Sequence, residues 1–507
     1  MPRASAAVPA GARTGPLSRD GFGLLLLILV GLTITRLLAS LVAVVDLFPD
    51  EAQYWAWSRD WALGYFSKPP LLAWIIGVAT WSCGNAEPCV RAPAPLFYFG
   101  TCLLTYAIGR TLYDARTAFW AGLTMAFGIG TAFSARIIST DVPLLFFWAL
   151  ALLAYLKFVE RPAAKYAVVL GLSLGFGLLA KYAMAYFLLG MALAAVLDRD
   201  AREALRSRAM LLALALALGI VAPNLYWNLT HELATFRSTQ AVIAGRTAPV
   251  PLLPALEFLG AQFAVGGPIV FAVFLCVAVR MQSHVVLRTD RLMLAFALPP
   301  LAVITAIALT TKVNANWAAP SFVSATVLAA AWLTRRNAVI FLKAGVALGI
   351  AVQVLLLIGD AFAYRVSIPP FGDVYYRTLG WRSFAASTGT LADRIGATAV
   401  VGDERRDIAS LLYYRRDHPQ AILAWRAADD IQFDGTHAFS EAVPDPVLFV
   451  SECPFPERLR KFYERVEPIE EIISPAGPTS ARWHGAFRLA GRRAPIEPLA
   501  PCLSAAR

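Results

Sequence analysis

Phe48-Pro49-Asp50-Glu51-Ala52-Gln53-Tyr54-Trp55 and, shortly after it, Gly64-Tyr65-Phe66-Ser67-Lys68-Pro69-Pro70-Leu71 follow directly on the first long apolar run of the chain, Phe22 to Val45. Two adjacent carboxylates and a lysine stiffened by two prolines therefore sit at the end of a segment long enough to cross a bilayer, which takes about 20 apolar residues. The 507 residues are 58% hydrophobic and 16% charged, against about 25% charged in an ordinary soluble domain. Apolar runs recur as far as about Ala363, after which the texture becomes that of a water-soluble domain. The fold expected is an α-helical polytopic membrane protein of about 11–13 helices with a small C-terminal α/β domain.

The run from Phe22 to Val45 exceeds the roughly 7–15 apolar residues of a cleavable signal, so it reads as an uncleaved first helix. Eleven helices are expected, over 22–46, 91–111, 116–135, 142–158, 165–180, 182–197, 208–225, 255–279, 291–311, 316–334 and 338–362. Alternate connections carry Arg110 and Arg116; Lys157, Arg161 and Lys165; Arg199, Arg202, Arg206 and Arg208; Arg280, Arg288 and Arg291; and Arg335 and Arg336. Basic residues mark the cytoplasmic side, so the net charge of +11 is a topology signal and not a nucleic-acid surface. The domains expected are a cytoplasmic tail over 1–20, a transmembrane catalytic domain over 21–362 with an external loop at 47–90, and an external α/β domain over 363–507. The segments 47–90, 136–141 and 226–254 join that last domain on the outer face.

The polar residues worth chemistry fall on this face. Asp50 and Glu51 can accept a proton from a hydroxyl or orient one; a solvated helix cap is the plain alternative for Asp50. The aromatic residues Tyr54, Trp55, Trp57, Trp61, Tyr65 and Phe66 fit a helix lying in the membrane interface. Lys68, held outside helical geometry by Pro69-Pro70, suits a phosphate oxygen, whether of a substrate or of a headgroup it snorkels towards. Asp141, near Arg136 and two residues before Pro143, is a second acidic site or a helix start neutralised by that arginine. Lys312, Asn314, Asn316 and Trp317 resemble a polar pocket, as do Asn224, Trp227 and Asn228, whose side chains suit sugar hydroxyls and ring faces. Arg36 lies within the first helix, where a charge is either functional or paired.

Cys83 and Cys89 share the external loop and Cys453 and Cys502 the external domain, so an oxidising compartment would permit a disulfide in each pair. Cys102 and Cys276 read as small apolar residues within helices. There is no Walker loop, no ATP-binding domain and no histidine spacing for a metal; no essential cofactor is expected, and a divalent metal is left open. In the C-terminal domain, 397–401, 421–425 and 447–451 read as strands and 404–415 as a helix; Arg405, Arg406, Arg415 and Arg416 either guide an anionic glycolipid or, the favoured reading, are solvated.

Asp50-Glu51 after the first helix, Gly64-Tyr65…Lys68-Pro69-Pro70-Leu71, Thr140-Asp141 and Lys312…Pro320 together resemble the GT-C membrane glycosyltransferases, within them the lipid A aminoarabinose transferases and the related protein mannosyltransferases. The resemblance covers residues 20 to about 360. It implies an inverting transfer of a sugar from a polyprenyl phosphate to an acceptor on the external membrane face: lipid A or lipopolysaccharide core, with a protein hydroxyl as the alternative and a transporter as the competing class. It implies a bacterial inner-membrane protein working on the periplasmic side with membrane lipids around it and no nucleic acid. By this likeness Asp50 and Asp141 are the catalytic acids; Lys68, Tyr65 and Lys312 hold the donor phosphate; and Glu51, Asn316, Trp317 and Asn228 contact substrate. Gln53 stands where some relatives place a basic residue, which leaves the donor open between an amino sugar, a hexose and a uronic acid.

Overall fold

The computed structural model describes residues 17–244, 252–425, 437–453 and 455–499. Most of the tail expected over 1–20, and Cys502 with the disulfide expected of it, lie outside these residues. The chain opens with α1 (Leu17–Val42), the short helices α2 (Pro49–Trp57) and α3 (Leu71–Cys83), and a single turn α4 (Glu87–Arg91). A first run of bundle helices follows: α5 (Pro93–Leu112), α6 (Ala115–Ala126), α7 (Ile129–Ser134), α8 (Asp141–Glu160), α9 (Ala164–Ala180) and α10 (Tyr186–Leu197). The second run is α11 (Arg199–Leu205), α12 (Arg208–Thr230), α13 (Ala234–Ala244), α14 (Leu253–Val265), α15 (Pro268–Ala278), α16 (Arg288–Ala308), α17 (Ser321–Arg335) and α18 (Val339–Ala361).

Each expected membrane segment is occupied by helix, but two are broken. The segment 116–135 divides into α6 and α7, and 255–279 into α14 and α15. The second break has a packing cause: a Cβ on Gly266 would meet the Phe322 ring at 1.9 Å, and Gly267 has φ +83°, a conformation that glycine adopts freely. Among the described residues, five helices are long and apolar enough to cross a membrane by themselves: Gly21–Val42, Asp141–Glu160, Arg208–Thr230, Arg288–Ala308 and Val339–Ala361. The remaining apolar helices are shorter. α3, with its exposed Trp81, was expected only as part of a loop.

The helix expected to lie in the membrane interface packs on protein along one face. α2 forms, its first turn capped by the Phe48 N–H donating to Glu51 Oε2 (2.9 Å), but Tyr54, Trp55 and Trp57 are buried. They face protein because α2 packs on the C-terminal unit.

That unit contains α19 (Trp381–Arg394), β1 (Ala399–Gly402), α20 (Arg405–Tyr414), β2 (Ala421–Ala424), β3 (Val447–Ser451), α21 (Glu457–Arg460), β4 (Tyr463–Pro475) and β5 (Ala481–Arg492). The sheet order is β2-β1-β3-β5-β4, with β1 parallel to β2 and β3 and β5 antiparallel to β3 and β4. Ala-Val-Val-Gly of β1 and Val-Leu-Phe-Val-Ser of β3 are buried throughout, as strands covered on both faces require. β4 closes the edge with exposed glutamates, which discourage pairing with another chain.

Buried polar contacts tie this unit to the bundle. Asp46 accepts hydrogen bonds from the backbone N–H of Trp381 (2.9 Å) and Arg382 (3.2 Å), and Arg382 also pairs with Glu87 (2.7 Å). The Leu47 N–H donates to the Tyr414 hydroxyl (2.7 Å). Trp55 meets Tyr413 edge-on with ring centroids 5.0 Å apart, and Tyr413 donates to the Asn85 carbonyl (2.6 Å). α20 is thereby seated against α2. Cys83 and Cys89 form a disulfide beside this contact, with Cα atoms 5.7 Å apart.

Arg36 is bound without a carboxylate. It donates through Nε (3.0 Å) and Nη2 (2.7 Å) to Gln353 Oε1 and through Nη2 to the Ala126 carbonyl (3.0 Å), joining α1, α18 and α6.

Candidate functional site

The turn carrying Lys68 is built by backbone pairing: the Tyr65 N–H donates to the Lys68 carbonyl (3.1 Å) and the Lys68 N–H to the Tyr65 carbonyl (3.3 Å). Gly64 lets this turn approach α12, because a Cβ there would lie 2.4 Å from the Trp227 ring. Asn224 and Thr235 fasten it, donating to the Leu63 carbonyl (2.8 Å) and the Tyr65 carbonyl (2.9 Å). The Tyr65 ring stacks on Trp57 at 5.0 Å, and its hydroxyl is directed to the carbonyl oxygens of Trp57 and Asp60. Tyr65, expected to contact the donor phosphate, thus has its hydroxyl hydrogen engaged within the fold and orients the lysine turn.

Beside this turn lies a cavity of about 500 Å³. Lys68 and Lys181 line it together with Tyr182, Phe236, Ile307 and Trp317, so two cations share one space with an apolar wall. Lys181, at the junction of α9 and α10, pairs with Asp141 Oδ1 (2.7 Å), and Asn316 donates to Asp141 Oδ2 (2.6 Å). Both oxygens of Asp141 are thus engaged. Arg136 pairs with Asp360 instead, so it is not the residue that neutralises Asp141.

Lys68 forms no ion pair among the described residues. Burial, and after it the nearby Lys181, lower its pKa below the ordinary lysine value, while Asp50 and Asp141 act in the opposite direction. An ammonium held this way gains from an anion arriving in the cavity.

Asp50 sits at the start of α2, where Arg405 of α20 donates through Nη1 to Asp50 Oδ1 (2.8 Å) and to Gln53 Oε1 (2.5 Å). Arg405, from the C-terminal unit, thus places a cation beside Gln53. The reading of the four C-terminal arginines as solvated is corrected at Arg405, and also at Arg406, which pairs with Glu452 (3.0 Å). Arg415 is buried, and Arg416 donates to the Tyr413 carbonyl (2.7 Å).

Three further expected contacts are placed differently. Glu51 is 1% exposed; it receives Arg91 Nη2 at 2.7 Å and Nε at 3.0 Å and the Ile138 N–H at 2.9 Å. Its oxygens are saturated inside the protein, so it joins helix ends and does not face a substrate. Asn228 is fully buried; it donates to the Tyr182 hydroxyl (3.1 Å) and accepts from the Thr235 N–H (3.2 Å), fixing the cavity wall from behind. Lys312 is exposed and is not among the described residues lining the cavity.

The structure therefore brings Asp50, Lys68, Asp141, Asn316 and Trp317 to one side of the bundle and adds Lys181 and Arg405. A break between two apolar helices marks Lys181 in the sequence; nothing local marks Arg405.

A helical bundle with carboxylates and lysines gathered beside a half-apolar cavity defines a membrane enzyme that handles an amphiphilic anion. Comparison with known proteins makes that class specific. Residues 67–227 match the family described as dolichyl-phosphate-mannose-protein mannosyltransferase. The chain is 33% identical over 433 residues, 85% of its length and 91% of the relative's, to the lipid A galacturonosyltransferase RgtD of Rhizobium johnstonii. Its fold resembles ArnT from Cupriavidus metallidurans in the apo state (TM-score 0.64) and bound to undecaprenyl phosphate (TM-score 0.65); each match is 16% identical and covers 92% of this chain and 98% of the other. The chain belongs to the family of GT-C membrane glycosyltransferases that contains this galacturonosyltransferase, and it is a multi-pass membrane glycosyltransferase.

Proposed function

We propose that this enzyme transfers a uronic acid from a polyprenyl phosphate to lipid A on the periplasmic face of the bacterial inner membrane, with inversion at the anomeric carbon. The observation carrying the reading is the cavity in which Lys68 and Lys181 meet an apolar wall, which suits a phosphate attached to an isoprenoid tail. The 33% identity to a lipid A galacturonosyltransferase supports the donor sugar and the acceptor.

The chemistry follows from the groups present. An acceptor oxygen attacks the anomeric carbon while the bond from that carbon to the phosphate oxygen breaks. The leaving polyprenyl phosphate gains negative charge, which fixed cations stabilise in a site of low dielectric; Lys68 and Lys181 supply them. Asp50 accepts the acceptor's proton or orients its oxygen, itself oriented by Arg405. Asp141 holds Lys181 and Asn316 in place. A single displacement of this kind inverts the configuration.

Lys68→Ala tests the reading. Loss of one donor to the developing phosphate charge is expected to lower turnover of the polyprenyl-phosphate sugar by about 10²-fold, while Lys312→Ala leaves it unchanged. Because the Lys68 pKa is depressed from 10.5, its charge, and donor binding with it, is lost as pH rises at a lower pH than an ordinary lysine would allow. Lys68→Arg keeps its charge through that range and flattens the alkaline limb. Unchanged donor dependence in Lys68→Ala would leave this lysine a headgroup contact only.

A further inference from the structure

Away from the membrane site, the C-terminal unit buries a polar cluster whose ligand atoms lack hydrogen bonds. Asp407 in the first turn of α20 and His484 on β5 are each 0% exposed. His484 Nε2 lies 3.3 Å from Asp407 Oδ1 and 3.9 Å from Glu452 Oε1. Yet both carboxylate oxygens of Asp407 and both ring nitrogens of His484 make no hydrogen bond. An ionised carboxylate left this way in an interior is costly unless a cation reaches it. Arg406 and Arg482 lie near enough to attract Asp407 but donate their hydrogen bonds to Glu452 Oε2 (3.0 Å) and to the carbonyl oxygens of Leu379 and Tyr376.

We propose that Asp407, Glu452 and His484 form a binding site for one divalent transition-metal ion of the zinc class. One ligand atom from each lies within 4.8 Å of the other two. Ligands at about 2.1 Å from a tetrahedral zinc stand about 3.4 Å from one another, close to the 3.3 and 3.9 Å found from His484 to the two carboxylates. Rotation of the partly exposed Glu452 closes the remaining gap, and its solvent side gives the ion a way in. An imidazole with two carboxylates favours zinc and its neighbours over calcium. Arg406, bonded to the other oxygen of Glu452, orients that ligand as outer partners of metal sites do.

The site lies two positions beyond Arg405 on the same helix turn. A bound ion would therefore fix the turn that presents Arg405 to Asp50, a positioning role remote from the reacting atoms.

The test uses the full chain, without a polyhistidine tag, purified in detergent, stripped with chelator and titrated with Zn²⁺ alone. Binding is followed by calorimetry and by elemental analysis after gel filtration. One zinc per chain and a raised unfolding midpoint on addition of zinc are expected. Glu452→Ala, at a partly exposed position that folding tolerates, is expected to weaken binding by more than the ~10–100-fold that loss of an outer partner costs. His484→Asn abolishes binding, and His418→Ala, on the surface, leaves it unchanged. A wild-type chain that binds no zinc, or zinc binding unchanged in Glu452→Ala, overturns the proposal; the first result would make the cluster a metal-free buried contact of His484 with Asp407.

Discussion

Asp50→Asn is expected to lower turnover by about 10³-fold, within the range assigned to a positioned proton acceptor, with the donor KM nearly unchanged. The amide keeps the shape and still accepts the hydrogen bond from Arg405, which reaches Oδ1 at 2.8 Å, so the helix turn is undisturbed. What is lost is the negative charge and the ability to take a proton. Lys68 and Lys181 remain in place, and for this reason donor binding is retained. A variant with more than a tenth of wild-type turnover would remove Asp50 from the reaction. A variant with unaltered turnover per bound donor but weakened donor binding would move it to the donor side.

Arg91→Leu is expected to destabilise the protein by about 3–5 kcal/mol, the cost of leaving one partner of a buried ion pair unmatched. Arg91 is 5% exposed, and its guanidinium serves three residues: Glu51, the Val45 carbonyl (3.2 Å) and the Asp46 carbonyl (2.8 Å). Removing it strands the Glu51 carboxylate and frees the strap between α1 and α2 that leads into the turn carrying Asp50. Thermal unfolding in detergent, followed by tryptophan fluorescence, reads the loss. Pairing it with Glu51→Gln should recover part of the stability, since the stranded charge is then gone. An unfolding midpoint unmoved by Arg91→Leu would show that the pair does not hold this strap.

The long bundle segments were legible because length, apolarity and the alternation of arginine-bearing connections mark membrane helices; α3, α11 and α13 lie in stretches read as loops. The breaks after Ala126 and at Gly266–Gly267 were not legible, since Gly266 answers to Phe322, a residue far along the chain. The adjacent pair Asp50-Glu51 was visible, but its division of labour was not. Successive residues of a helix point to different sides, and only the packed structure reveals that Glu51 turns inward to Arg91 while Asp50 turns out to Arg405. Likewise the histidines carry no ligand spacing because Asp407, Glu452 and His484 converge from three separate places in the C-terminal unit. The contact made by the aromatic run after Asp50 was not legible either: an amphipathic helix that suits a membrane interface suits equally a protein interface, here with α20.

We propose above that this enzyme moves a uronic acid from a polyprenyl phosphate to lipid A. This transfer is tested most directly by reconstituting the purified protein in lipid nanodiscs with polyprenyl-phosphate galacturonic acid and lipid A, and reading the lipid by mass spectrometry. Lipid A heavier by one uronic acid is expected with the wild type, and unmodified lipid A with Asp50→Asn. Lipid A left unmodified by the folded wild-type protein, or modified equally by Asp50→Asn, would contradict it.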